Sequence, residues 1–248
     1  MKGKTVLVTG AKGQLGSVIC DGFLNSGSTV IGADLKPDQG KVIEDKNISY
    51  FTVDIASQES VENLFSLLLD KYHSIDILIN NVGVGTFDPY KNRTEKSFDC
   101  VSDINLKGTF FCIQQYINHQ NNLNRGNIVN IASVYGLISP DPRIYKEGDR
   151  KSSEIYGATK AGIIQMTKYF AINLAEMNIR VNAVSPGGIF NTESPQSDYF
   201  ISEYSKRNPM GRMANVEEIL GAIIYLASDA SSYVTGHNLV VDGGMSCW

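Results

Sequence analysis

No run of ~18 uninterrupted apolar residues occurs in the 248-residue sequence, so a membrane-spanning helix is not expected. Cysteine is scarce and unpaired: Cys20, Cys100, Cys112 and Cys247 form no CxxC pair, and His73, His119 and His237 stand alone. A metal centre and a disulfide framework are both unexpected on that spacing. Basic residues are the minority, 22 Lys and Arg against 26 Asp and Glu for a net charge of -4, which lacks the footprint of a nucleic-acid binder. The opening "MKGKTVLVTG" leads straight into a strand pattern with no apolar core of signal-peptide length, so a reducing cytoplasm is the expected compartment. Internal repeats, low-complexity tracts and Ser/Pro linkers are also missing, and residues 1–248 read as one domain.

What is present is an ordinary globular composition, 42% hydrophobic and 19% charged, with 23 glycines. Short Val- and Ile-rich runs alternate with longer segments of helical period, the pattern of repeated βαβ units around a parallel sheet. Strands are predicted over 5–9, 28–34, 48–54, 75–80, 127–133, 179–185 and 238–242, and most are apolar throughout, as strands covered on both faces must be. Helices are predicted over 15–25, 59–72, 96–119, 154–176 and 216–228. In the second, Val61, Leu64, Phe65, Leu68 and Leu69 form one stripe that reads as core. Two stretches break the alternation, 136–153 and 187–213, and loops of such length in a compact domain are usually functional or disordered.

"VTGAKGQLG" (8–16) follows the first strand and opens the first helix, where glycines let a pyrophosphate meet helix N-terminal N–H groups. Asp34 lies 18 residues beyond Gly16, at the end of the second strand. A carboxylate there can accept the hydroxyls of an adenosine ribose and repels a 2′-phosphate, which favours NAD over NADP. Lys12 and Lys36 weigh the other way as phosphate contacts. Further on, "SSEIYGATKAG" (152–162) sets Tyr156 and Lys160 four positions apart, on one face of a helix.

These features together resemble the short-chain dehydrogenase/reductase family in its single-domain branch. The resemblance covers nearly the whole chain: Thr9, Gly10 and Gly16; Asp54; "NNVG" (80–83); Asn105 in "INLKGTF"; Ser133 in "IVNIAS"; Tyr156 and Lys160; "SPGGI" (185–189); and the tail 217–244. It implies an α/β fold: a single Rossmann-type doubly wound domain with a mainly seven-stranded parallel sheet and helices on both faces. It places the cofactor against Gly10, Gln14, Leu15 and Gly16, then Asp34 and Leu35, Asp54 and Ile55, Asn81, Val82 and Gly83. Tyr156, Lys160, Pro186, Gly187, Ile189 and Thr192 complete that set. Three positions depart from the family's pattern. Gln14 stands where glycine is usual and the third glycine is moved to Gly13; Val82 replaces an alanine; and Asn191 occupies the place of a nicotinamide-contacting threonine, with Thr192 following it.

The resemblance implies interconversion of a secondary alcohol and a ketone. Tyr156 is the expected acid/base, Ser133 the hydrogen-bond partner of the substrate oxygen, Lys160 the ribose contact and Asn105 the holder of a water behind the lysine. An ordinary tyrosine ionises near ~10, so a base working near neutrality needs roughly 3–4 kcal/mol of differential stabilisation. A neighbouring ammonium and the positive ring of an oxidised nicotinamide are expected to supply it. Taken singly, Ser133 also reads as a strand-end turn, Asn105 as a helix-bending polar group, and Tyr156 with Lys160 as a solvated pair.

From Ser133 to Tyr156 is 156 - 133 = 23 residues, longer than the family's usual spacing. The extra residues carry Arg143, Lys146, Arg150 and Lys151 against Asp141, Glu147 and Asp149. They read either as a solvated loop or as a source of basic groups, Arg143 and Arg150, for an anionic, sugar-derived substrate. Phe190, Tyr199, Phe200 and Tyr204 lie in the 187–213 segment where the family builds a substrate lid, and at helical spacing all four equally fit a packing role. "YGATKAGIIQMTKYFA", "SPGGIF" and "PMGRM" resemble a bacterial subgroup associated with surface-glycan and flagellin-modification sugars. The family commonly forms homotetramers, so a tetramer or dimer is expected; a cofactor-sensing or structural protein without turnover is the alternative function.

Overall fold

Strands buried on both faces must be apolar on both, and this decides the architecture. A computed structural model of the chain describes residues 1–36, 48–120 and 125–248. β1 (Thr5–Thr9), β2 (Thr29–Asp34), β3 (Ile48–Thr52), β4 (Ile77–Asn80), β5 (Gly126–Ile131), β6 (Ile179–Pro186) and β7 (Asn238–Val241) form one seven-stranded sheet. Its order is β3-β2-β1-β4-β5-β6-β7, and the pairs are parallel. Val6 and Val8 of β1 point to one face, where they meet α1 (Gln14–Asn25) and α7 (Val216–Ala227) through Ile19, Phe23, Ile219 and Ile223. Leu7 points to the other, against Leu64 and Phe65 of α2 (Gln58–Tyr72).

The chain leaves β1 toward β2 and β3 on one side, then returns to β4 on the other. That reversal opens a crevice at the carboxyl ends of β1 and β4, where ligands bind in open α/β sheets.

Three local expectations are corrected. The predicted helix 96–119 is α3 (Glu95–Ser102) and α4 (Gly108–Gln120) joined by a π-helical turn, Asp103–Lys107, that contains Asn105. Leu69 is 44% exposed, because it falls at the edge of the stripe that Val61, Leu64, Phe65 and Leu68 bury. The 187–213 stretch contains α6 (Asp198–Arg207), capped by Ser197, whose hydroxyl accepts the Phe200 N–H. Phe200 and Tyr204 are buried with Ile144, Met213 and Met245. Ile144 comes from the 136–153 stretch, so the two irregular segments share a small core of their own.

Tyr116 ties α4 to the sheet. Its hydroxyl donates to the Asp76 carbonyl at 2.8 Å and accepts the Asn127 N–H at 3.0 Å, and burial pushes its ionisation upward. The Asn127 N–H also reaches the Asp76 carbonyl, at 3.1 Å. Tyr116→Phe removes both bonds to the phenol but leaves that pairing, and a loss of about 0.5–1.5 kcal/mol is expected. Denaturant unfolding checks this; an unchanged midpoint would show that the backbone pair suffices without the phenol.

Candidate active site

Ser153 starts the helix that carries the site. Its hydroxyl accepts the Tyr156 N–H at 3.3 Å, so α5 (Glu154–Asn173) begins with Tyr156 in its first turn and Lys160 in the next. Gly136 and Gly157 then set how near the helix comes to the end of β5. A Cβ on Gly136 would lie 2.8 Å from the Lys160 carbonyl carbon, and one on Gly157 would lie 2.9 Å from the Tyr135 carbonyl oxygen. Backbone therefore packs on backbone, which brings Tyr156 to Ser133. Ser133 is buried at the strand end; its Oγ accepts the Tyr135 N–H at 3.1 Å, and it shares the cleft wall with Tyr156.

Burial dominates the ionisation of both helix residues. It raises the Tyr156 phenol, with Ser133 beside it pulling the other way. It lowers Lys160 to about 8, and that ammonium donates to the Ile131 carbonyl at 2.7 Å, 5.7 Å from the centre of the Tyr156 ring. The expected lowering of the phenol by its lysine neighbour is thus absent in the protein alone, because desolvation outweighs a cation that burial itself weakens.

Asn105 is fully buried, and its side chain is occupied on both sides. Nδ2 donates to the Val84 carbonyl at 2.9 Å and to Thr159 Oγ1 at 3.2 Å, while Oδ1 accepts the Val84 N–H at 2.8 Å. It joins the loop after β4 to α5, and it does not line the cleft.

The cleft encloses about 670 Å³ at the carboxyl ends of the strands. Gly10, Gln14, Leu15, Gly16, Asp34, Leu35, Asp54, Ile55, Asn81, Val82, Gly83, Ser133, Tyr156, Lys160, Pro186, Gly187 and Ile189 all line it. Val53, Val84, Ile104, Ile131 and Ala132 line it too; being ordinary apolar residues, they carry no signal in the sequence. Thr192 and Phe190 do not. Thr192 is exposed beyond the turn, and Phe190 packs toward the α6 core. Gln14, one of the departures from the family pattern, reaches across the cleft and donates to the Phe190 carbonyl at 2.6 Å.

The cleft fits a dinucleotide. Gly13, the N-cap of α1, has no side chain to satisfy the first-turn N–H groups, which leaves them for an anion. A Cβ on Gly16 would stand 1.9 Å from the Gly10 carbonyl oxygen, so only glycine permits the helix to start so close to the turn. The Asp34 carboxylate accepts the N–H groups of Lys12 at 3.0 Å and Lys36 at 3.1 Å, which fixes it at the cleft wall with lone pairs remaining.

The two arginines of the 136–153 stretch separate. Arg143 is 77% exposed and pairs with Asp141, which Arg207 of α6 also holds, and the Asp141 carboxyl is drawn well below its ordinary range by Arg143. Arg143 therefore lies outside the cavity. Arg150 lines a second cavity of about 330 Å³ that opens beside Ser133 and Tyr156.

The profile of the family described as enoyl-(acyl carrier protein) reductase matches residues 10–246. A 3-oxoacyl-[acyl-carrier-protein] reductase of Thermotoga maritima is 33% identical, over 99% of this chain and 98% of its own. The crystal structure of a short-chain dehydrogenase from Leptospira borgpetersenii with bound NAD+ is 37% identical, with a TM-score of 0.92, over 99% of this chain and 94% of that one. That of a gluconate 5-dehydrogenase from Burkholderia cenocepacia, in complex with NADP and tartrate, is 26% identical, with a TM-score of 0.90, over 100% and 97%. A profile match over almost every residue, a like fold and a tyrosine, lysine and serine gathered at a dinucleotide-sized cleft have one meaning: the chain belongs to the short-chain dehydrogenase/reductase family of NAD(P)-dependent oxidoreductases.

Proposed function

We propose that the protein interconverts a secondary alcohol and a ketone on a sugar-derived or anionic substrate, with NAD as the preferred cofactor. The observation that carries this reading is the Tyr156 phenol beside Ser133 at the junction of the two cavities. When bound, the nicotinamide supplies the hydride acceptor or donor. In the oxidative direction the phenolate form of Tyr156 would take the alcohol's O–H proton, and the bound cofactor would supply the hydride acceptor, so that ketone, reduced cofactor and one proton would result. Ser133 orients the substrate oxygen, Lys160 meets the nicotinamide ribose, and Asn105 braces the loop after β4 and holds a water behind the lysine. Gly10, Gln14, Leu15 and Gly16 hold the pyrophosphate end, Asp34 and Leu35 the adenosine ribose, and Asp54, Ile55, Asn81, Val82 and Gly83 the adenine side. Pro186, Gly187 and Ile189 border the nicotinamide, and all of these lie in one folding unit.

Asp34 supports NAD, since its carboxylate stands where a 2′-phosphate would be repelled. Exposed Phe110, Tyr169 and Ile172 on α4 and α5, with Tyr225, Tyr233 and Trp248 near the C-terminus, support assembly as a homo-oligomer.

Tyr156→Phe is expected to lower kcat roughly 10²–10⁴-fold, the usual worth of a general acid/base, while NADH binding measured by fluorescence persists. Retained turnover contradicts the assignment. Steady-state comparison is expected to give the higher kcat/KM with NAD, and Asp34→Asn to narrow the gap; a wild-type preference for NADP reverses the cofactor assignment. Lys160 binds its proton less tightly in the fold than in the unfolded chain. Between pH about 8 and 10.5 the unfolded state holds more protons, and stability rises with pH. The melting temperature of the protein without added cofactor, relative to that of Lys160→Met, is therefore expected to climb over that window; a flat difference shows that Lys160 is not desolvated.

A further inference from the structure

The 330 Å³ cavity lies between the loop after β4, the 136–153 stretch and the turn that leads to α6. Of the side chains that line it, Arg150 alone carries a formal charge, and none is acidic. Arg150 Nη2 donates to the Ser194 carbonyl at 3.0 Å, and its guanidinium lies 5.9 Å from the Phe87 ring centre, so the group bridges the two irregular segments at the cavity wall. Among the described residues it makes no ion pair, whereas Arg93, Arg143, Arg207 and Arg212 each hold a carboxylate. A guanidinium has five N–H donors in a planar fork suited to a carboxylate, and only one of them is committed within the protein. The rest of the wall includes uncharged polar side chains, Thr86, Ser152, Asn191 and Gln196, which suit the hydroxyl groups of a ligand.

We infer that this cavity takes a small polyhydroxylated carboxylate, an aldonate-type acid. Its carboxylate pairs with Arg150, its hydroxyls meet the uncharged polar wall, and its carbinol carbon sits between Ser133 and Tyr156. The inference rests on the oxidoreductase reading above and adds the substrate class to it. One guanidinium with no lysine beside it suits a monoanion better than a phosphate. The volume, near the lower end of the ~300–1,000 Å³ range of small-molecule sites, suits a short acid.

The test compares the sodium salts of four- to six-carbon aldonic acids with the neutral alditols of equal length, by NADH formation and by calorimetric binding to the NADH-saturated protein. Wild type is expected to prefer aldonates. Arg150→Gln is expected to cut the aldonate-to-alditol ratio of kcat/KM by roughly 10–100-fold, chiefly through KM, as loss of a charge-assisted bidentate contact requires. Arg150→Lys retains part of the ratio, and Arg143→Gln, whose guanidinium is held on the surface, leaves it in place. A ratio unmoved by Arg150→Gln, or better use of an alditol phosphate than of any aldonate, overturns the inference and spares the oxidoreductase reading. Should no aldonate turn over, calorimetry decides: binding abolished by Arg150→Gln supports the subsite, and no binding overturns it. The oxidoreductase reading then stands or falls separately, on turnover of other secondary alcohols.

Discussion

The placement of Ser133, Tyr156 and Lys160 at the cleft depends on one contact: the first turns of α5 lie against the segment that follows β5 with no side chain between them. Gly136 and Gly157 make that approach possible, and a methyl group at either position would meet backbone rather than a side chain that could move aside. The consequences follow in order. Ser133 reaches the Tyr156 phenol, the Lys160 ammonium reaches the Ile131 carbonyl, and Asn105 in its π-helical turn can grip both Val84 and Thr159. A few tenths of an ångström at the helix–strand contact thus set the geometry of the reacting groups, as close-packed interiors transmit strain.

That approach also sets the electrostatics. Burying a phenol and an ammonium together disfavours both charged forms, so the protein alone holds Tyr156 protonated and weakens Lys160 as a cation. On the proposed chemistry, a cationic ring beside the pair would favour the phenolate and so would link proton transfer to occupancy of the dinucleotide cleft.

Much of this was legible in the sequence. Apolar runs between helical periods revealed the sheet, since a strand covered on both faces has few polar options, and the motifs placed Gly10, Asp34, Ser133, Tyr156 and Lys160 on the right elements. What escaped was long-range. The contact of Gly136 and Gly157 with a neighbouring backbone has no local signature, and neither does the link from Gln14 to the Phe190 carbonyl. α6 was hidden because its last turns are mostly polar and its apolar side is completed by Ile144, Met213 and Met245 from elsewhere in the chain. Arg143 and Arg150 look alike in sequence. Only the position of Asp141 against α6 shows that one is spent on the surface, whereas the other borders the second cavity.

The central claim is that burial keeps the Tyr156 phenol protonated until the cofactor's charge joins it. Titration of tyrosine labelled with carbon-13 at Cζ, followed by NMR with and without saturating NAD+, tests this most directly. The account predicts a Tyr156 resonance that ionises above the ordinary tyrosine value in the protein alone and moves toward neutrality when NAD+ binds. A phenol already ionised near neutral pH without cofactor, or one whose titration NAD+ does not move, would contradict it.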